Sequence, residues 1–176
     1  MKNIRGKDGI INHTGCPGSP SELVDCRSDT FWDNIEEGII STVRILVEKG
    51  FYTVSSCQGH LTSCPIRCVS VIGEVEDIRW FQYAVAEINR SLAVSRPIQY
   101  FLLEKQQKFT LYDGLFSNPQ IIEISFGHFQ HRETETKQKA FEEYIRTHDF
   151  HKIHSPLDEK LVDPYLQQGT HCDVFI

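Results

Sequence analysis

The 176-residue chain has no long apolar run. Its opening, MKNIRGKDGIINHTGCPGSP, lacks the apolar centre of a secretion signal. No stretch reaches the roughly 20 apolar residues that cross a bilayer. The expectation is a cytoplasmic protein with no membrane partner. Positive charge is also scarce: Lys+Arg 18 stand against Asp+Glu 24, a formal charge of -6. A protein that tracks nucleic acid along a groove gains its affinity by neutralising phosphates, so this balance disfavours that class. An enzyme that meets nucleic acid through one local basic patch is still admitted. The common catalytic signatures are missing too. Without G-x-G-x-x-G or G-x-x-x-x-G-K-[ST], a Rossmann or P-loop nucleotide site is unexpected. H-E-x-x-H and G-x-S-x-G are absent. The second H-x-[ST] of a two-histidine phosphoesterase does not occur beside His60-Leu61-Thr62. Pro65 is not followed by the cysteine pair of a zinc deaminase. No papain-like neighbourhood surrounds Cys57, and no internal repeat or low-complexity segment is visible.

What is present is the material of a packed domain. Hydrophobic residues make up 40% of the chain, enough to exclude wholesale disorder. The reading is a single domain over 1–176, with an irregular, Gly/Ser/Pro-rich arm (1–27) and a C-terminal tail (149–176). Ser28 or Asp29 is placed to cap a helix running to about Lys49, with Phe31, Ile35, Ile39, Val43 and Leu46 on one stripe and Gly50 as terminator. The segments 51–56 and 66–73 read as strands, and 74–93 as a second helix whose first turn carries Glu74, Glu76 and Asp77. A hairpin (98–104, 108–113), a strand (120–126) and a helix over 132–148 with Phe141, Tyr144 and Ile145 inward complete the order. In the tail, one short element is expected. The order α-β-β-α-β-β-β-α implies an α+β fold: a two-layer sandwich of about three helices on a mixed or antiparallel sheet of about five strands.

The chemistry concentrates in Ser55-Ser56-Cys57-Gln58-Gly59-His60-Leu61-Thr62, where a predicted strand ends. Glycine permits positive φ and close approach of a ligand, and successive N–H groups in such a turn converge on an anion. Cys57 and His60 are the catalytic candidates, as a thiolate–imidazole pair or with His60 as general acid and base. Ser55, Ser56, Gly59 and Thr62 are the candidates for binding a substrate or cofactor. A structural turn around a buried cysteine is the bland alternative. Six cysteines, Cys16, Cys26, Cys57, Cys64, Cys68 and Cys172, form an even set, but without a secretion signal thiols or a metal site are favoured over disulfides. Two zinc sets compete. One is local, Cys57, His60, Cys64 and Cys68. The other joins Cys57 and His60 to His128 and His131, and would arise if the strands before the two turns ran in the same direction. His148, His151 and His154 read as a solvated segment.

Ser19-Pro20 and Asp25 in the arm, followed by an amphipathic helix and Thr53-Val54-Ser55-Ser56-Cys57-Gln58-Gly59-His60, resemble the wybutosine-type tRNA methyltransferases over residues 19–73. Phage-type proteins with an S-C-x-G-H turn are similar. The resemblance implies an α/β fold, S-adenosylmethionine as methyl donor and an RNA base as acceptor, with Ser55, Ser56, Cys57, Gly59 and His60 as the site. The functional expectation is a small enzyme acting on an RNA, nucleotide or related small molecule, with methyl transfer as one route. The alternatives are a non-catalytic binding or inhibitory module whose Cys/His cluster holds structural zinc, and an interaction protein whose acidic surface meets a basic partner.

Overall fold

A computed structural model describes residues 10–12, 23–25, 32–33, 35–61, 64–103, 116–149 and 166–167. Within them the order is β1 (Ile10–Asn12), β2 (Leu23–Asp25), α1 (Glu37–Glu48), β3 (Tyr52–Cys57), β4 (Ile66–Glu74), α2 (Val75–Ser91), β5 (Gln99–Leu103), β6 (Pro119–His128), α3 (Thr134–Thr147) and β7 (Leu166–Gln167). Four strands form an antiparallel sheet in the order β3-β4-β6-β5, and the two-residue β7 adds to β5 in parallel. Three helices pack against this sheet, so the expected α+β sandwich is what the chain forms. The predicted strand at 108–113 and the arm residues Ser19, Pro20, Ser28 and Asp29 lie outside the described residues. Within the arm, which reads as irregular, β1 and β2 pair antiparallel.

One boundary differs from the periodicity. The first long helix begins at Glu37 rather than near Asp29, because Glu36 is extended (φ -67°, ψ 140°). Its carboxylate does not cap the helix but turns to the β3–β4 loop, as described below. The helix ends where Gly50 predicts, at φ 87°. There the Phe51 N–H donates to the Leu46 carbonyl and the Gly50 N–H to that of Val47, which is a Schellman closure. At the start of α2 the Glu74 N–H donates to Asp77 Oδ2 at 3.1 Å, while the Glu74 carboxylate accepts the Ser117 and Asn118 N–H groups.

The main core lies between the layers. Ile39, Val43 and Leu46 of α1, Phe81 and Val85 of α2, and Phe141 and Ile145 of α3 meet Val69, Val71, Ile122, Ile124 and Phe126 of the sheet. Phe51, Trp80, Phe81 and Phe141 continue this core as a chain of ring contacts. The other sheet face carries a smaller apolar cluster, Val54, Ile72 and Ile121. Beside it runs a buried polar row in which Ser55 Oγ contacts Ser70 Oγ at 3.0 Å and Ser70 Oγ donates to Glu123 Oε2 at 3.4 Å. Two bulges set the phase of the side chains. Between Thr53 and Ser55 the β3–β4 register shifts by one residue, and between Arg67 and Cys68 the β4–β6 register does the same. After these shifts Cys57 lies opposite Cys68, and Arg67 lies opposite Gly127.

Thr53 Oγ1 is buried with no hydrogen-bond partner among the described residues, and an unsatisfied buried hydroxyl costs about 1–3 kcal/mol. Thr53→Val is expected to raise the free energy of unfolding, by up to about 2 kcal/mol in urea titration. Tyr144 offers a second test. Burial, with Tyr83 and Glu87 nearby, pushes its hydroxyl from 10.0 up to about 12. The unfolded chain loses this proton first, so the native state holds more protons in that window and stability falls as pH rises through it. Tyr144→Phe should flatten that decline when urea unfolding is compared at about pH 9 and about pH 11.

Candidate functional site

Strands β3 and β6 each pair antiparallel with β4, so they run in the same direction with one strand between them. Their C-terminal loops therefore emerge at one end of the sheet, and they touch. The Phe129 N–H donates to the Pro65 carbonyl at 2.8 Å. Gly59, at φ 93°, packs so tightly that a Cβ there would sit 2.4 Å from Phe129 Cβ. The His60 N–H closes the loop on the Cys64 carbonyl at 2.6 Å.

Glu36 enters this turn from the start of α1. Its Oε2 accepts the Gln58 N–H at 2.7 Å, and its Oε1 pairs with His60 Nε2. Cys57 Sγ lies beneath, accepting the Gly59 N–H at 3.4 Å. One sulfur, one imidazole nitrogen and one carboxylate oxygen from Glu36, Cys57 and His60 thus lie within 4.8 Å of one another. All three are zinc-ligand types, and zinc bonds of about 2.0–2.3 Å imply ligand-to-ligand edges of roughly 3.3–3.8 Å. Seating an ion among the three would open the direct Glu36–His60 contact to that spacing. Cys57 is 2% exposed, whereas the His60 and Glu36 side chains are 38% and 30% exposed. The thiol is at the bottom and the other two groups form an open rim.

Of the residues singled out by sequence, the structure gathers Cys57, Gly59 and His60. It does not bring His128 and His131 into the group. Their strands run as that zinc set requires, but each ring turns back into its own loop. His128 Nδ1 accepts the Gln130 N–H at 3.2 Å and His131 Nδ1 the Glu133 N–H at 3.3 Å, which orders the turn before α3. The local set fares differently as well: Cys64 and Cys68 are buried beside Cys57 in one cluster, yet neither joins the ligand group. Ser55 and Ser56 belong to β3 rather than to a turn, and both are buried. Ser55 points into the polar row on the face away from the helices, and Ser56 pairs with Val69 on the helix face. Thr62 lies outside the described residues.

Sequence reasoning passes over Glu36 and the polar cleft beside it. That cleft, of about 480 Å³, lies between α1 and α3 above the end of the sheet. At one wall Glu142 Oε1 accepts Ser41 Oγ and Thr42 Oγ1, both at 2.7 Å, and Gln138 Nε2 at 3.1 Å. Gln138 Oε1 accepts Arg67 Nη1 at 2.8 Å, and Arg67 Nε donates to the Gln58 carbonyl at 3.0 Å. Gln58 Oε1 in turn accepts the Gly38 N–H at 2.9 Å. Gln58 therefore belongs to the cleft through its side chain and carbonyl, and to the Glu36–His60 pair through its N–H. A signal for part of this was available: Gln138, Phe141, Glu142 and Ile145 share the inner stripe of α3 at helical spacing. No known protein family matches the chain, and neither a curated protein nor a solved structure does.

Gly59→Ala tests the loop packing. A β-carbon in this left-handed backbone costs about 1–3 kcal/mol before any clash, so thermal unfolding should shift down strongly, and Phe129→Ala, which keeps the clashing Cβ, should not restore it.

Proposed function

We propose that the chain is a small enzyme acting on a nucleotide or related small molecule, with its reaction centre at the turn after β3 and a zinc-class ion held by Glu36, Cys57 and His60. The observation that carries this reading is the third ligand. Glu36 comes from a different element and converts a weak C-x-x-H spacing into a convergent S/N/O set. Three protein ligands with an open side are the pattern of catalytic zinc, whereas structural zinc is closed by four. The ion would supply Lewis acidity and a water of lowered pKa. The protein's own part is positional. The Gly59 N–H points at Cys57 Sγ, and Gln58 orients the Glu36 carboxylate through its second oxygen. The burial of Cys57 favours a ligand over an exposed nucleophile. With Ser55 and Ser56 enclosed in the sheet, the geometry favours metal-assisted chemistry over methyl transfer from S-adenosylmethionine.

A second reading has one observation in its favour. Cys64 and Cys68 lie buried next to Cys57, so a rearranged loop could close a structural zinc site in a non-catalytic module. Elemental analysis and zinc titration separate the two. The enzyme reading expects one zinc per chain, lost in Cys57→Ser and in Glu36→Gln, with the chelated protein still folded. It also expects His60→Ala to abolish zinc-dependent turnover of a nucleotide panel while leaving the thermal melt nearly unchanged. Unfolding on chelation would support the structural reading, and protein that takes up no zinc would overturn both.

A further inference from the structure

We infer that the cleft between α1 and α3 is a binding site for a compact oxyanion, a phosphate or carboxylate group of a small molecule, seated on Arg67. The lining sets exposed Glu37 and Glu135 and buried Glu142 against Arg67 and Lys139, and what singles out Arg67 is how each charge is engaged. Glu135 is paired with Lys139 at 2.6 Å. Glu142 is satisfied by three donors, and Glu36 by His60 and the Gln58 N–H. Arg67 is different. Its partners are neutral oxygens, the Gln58 carbonyl and Gln138 Oε1, and no described carboxylate is within ion-pair distance. A guanidinium taken partly out of water is stabilised mainly by an anion.

The same two hydrogen bonds hold Arg67 in one orientation. They engage Nε and Nη1 and leave the Nη2 side of the fork facing Gly38. A Cβ on Gly38 would sit 3.4 Å from Arg67 Nη2 and 2.9 Å from Gln58 Oε1, so glycine keeps this edge open. Of the five guanidinium N–H groups, Nε–H and one on Nη1 are taken, so what is left for an oxyanion is Nη2 with the second Nη1 hydrogen. Ser41 and Gln138 add polar groups to the walls, and the volume of about 480 Å³ suits a molecule of mononucleotide size. Gln58 links the seat to Glu36, so an oxyanion on Arg67 lies beside the proposed reaction centre. The inference rests on the enzyme reading for its catalytic meaning, and not for the binding itself.

The test is isothermal titration of the full chain with inorganic phosphate, adenosine monophosphate, adenosine and succinate, with and without zinc. The expected result is one site for at least one anionic probe, with adenosine weaker by about tenfold or more. Arg67→Met should weaken that probe by at least about tenfold, and Arg67→Lys nearly as much, since lysine has no fork. Gly38→Ala, which fills the open edge, should weaken it too, and serves if Arg67→Met fails to fold. The phosphate and succinate arms decide which oxyanion is preferred. No binding of any anion at millimolar concentration, or binding indifferent to Arg67→Met and Gly38→Ala, would overturn the inference even if zinc binds. Anion binding that persists in Cys57→Ser would uphold it, even where zinc uptake fails and the enzyme reading falls.

Discussion

The pairing of β4 along both of its edges is the constraint from which the rest of the molecule follows. Because β3 and β6 each run antiparallel to it, they are parallel to one another, and the loops that leave them emerge together. Gly59 can then seat against Phe129, and the β3–β4 turn is fixed by tertiary packing as well as by its own His60–Cys64 hydrogen bond. The same strand carries Arg67 to the end of the sheet, where α1 and α3 converge. One strand thus supplies the floor of the cleft and the partner that orders the thiol-bearing strand.

The layer above the sheet is unusual in its polarity. Where α1 meets α3, Thr42, Gln138 and Glu142 are buried together. Such a network stabilises only if each member is satisfied, and breaking one member is costly because its neighbours are left without partners. Here the satisfaction runs in sequence from Glu142 through Gln138 to Arg67 and on to Gln58. An apolar interface would pack these helices at least as well. The polar one additionally fixes the position of a cation and of the backbone group that orients Glu36, which is the positional precision a site requires.

Much of the architecture was legible from periodicity. The stripes of Ile39, Val43 and Leu46, and of Ile78, Phe81, Val85 and Ile88, are helical, and the β-branched runs of 66–73 and 120–126 are strands, as the physics of half-buried surfaces demands. The start of α1 was not legible, because Phe31 and Ile35 continue the apolar spacing of the helix while the backbone at Glu36 departs from it. Of the site, Cys57 and His60 could be picked out, since their residue types carry chemistry and Gly59 marks a turn. Glu36 could not, being one acid of a pair beside a helix start, where acids are ordinary. His128 and His131 were well placed by topology, and what sets them apart from the gathered group is a detail that only coordinates supply: the Nδ1 of each imidazole turns to its own loop.

The irregularity near the start of β3 has a consequence for the thiol at its end. Along an unbroken strand Cys57 would come opposite Arg67, on the side occupied by the helices. The additional residue at Val54 advances the alternation by one step, so that the sulfur emerges on the reverse surface, opposite Cys68. The face of the sheet on which Cys57 presents its sulfur is thereby decided upstream, at the bulge between Thr53 and Ser55.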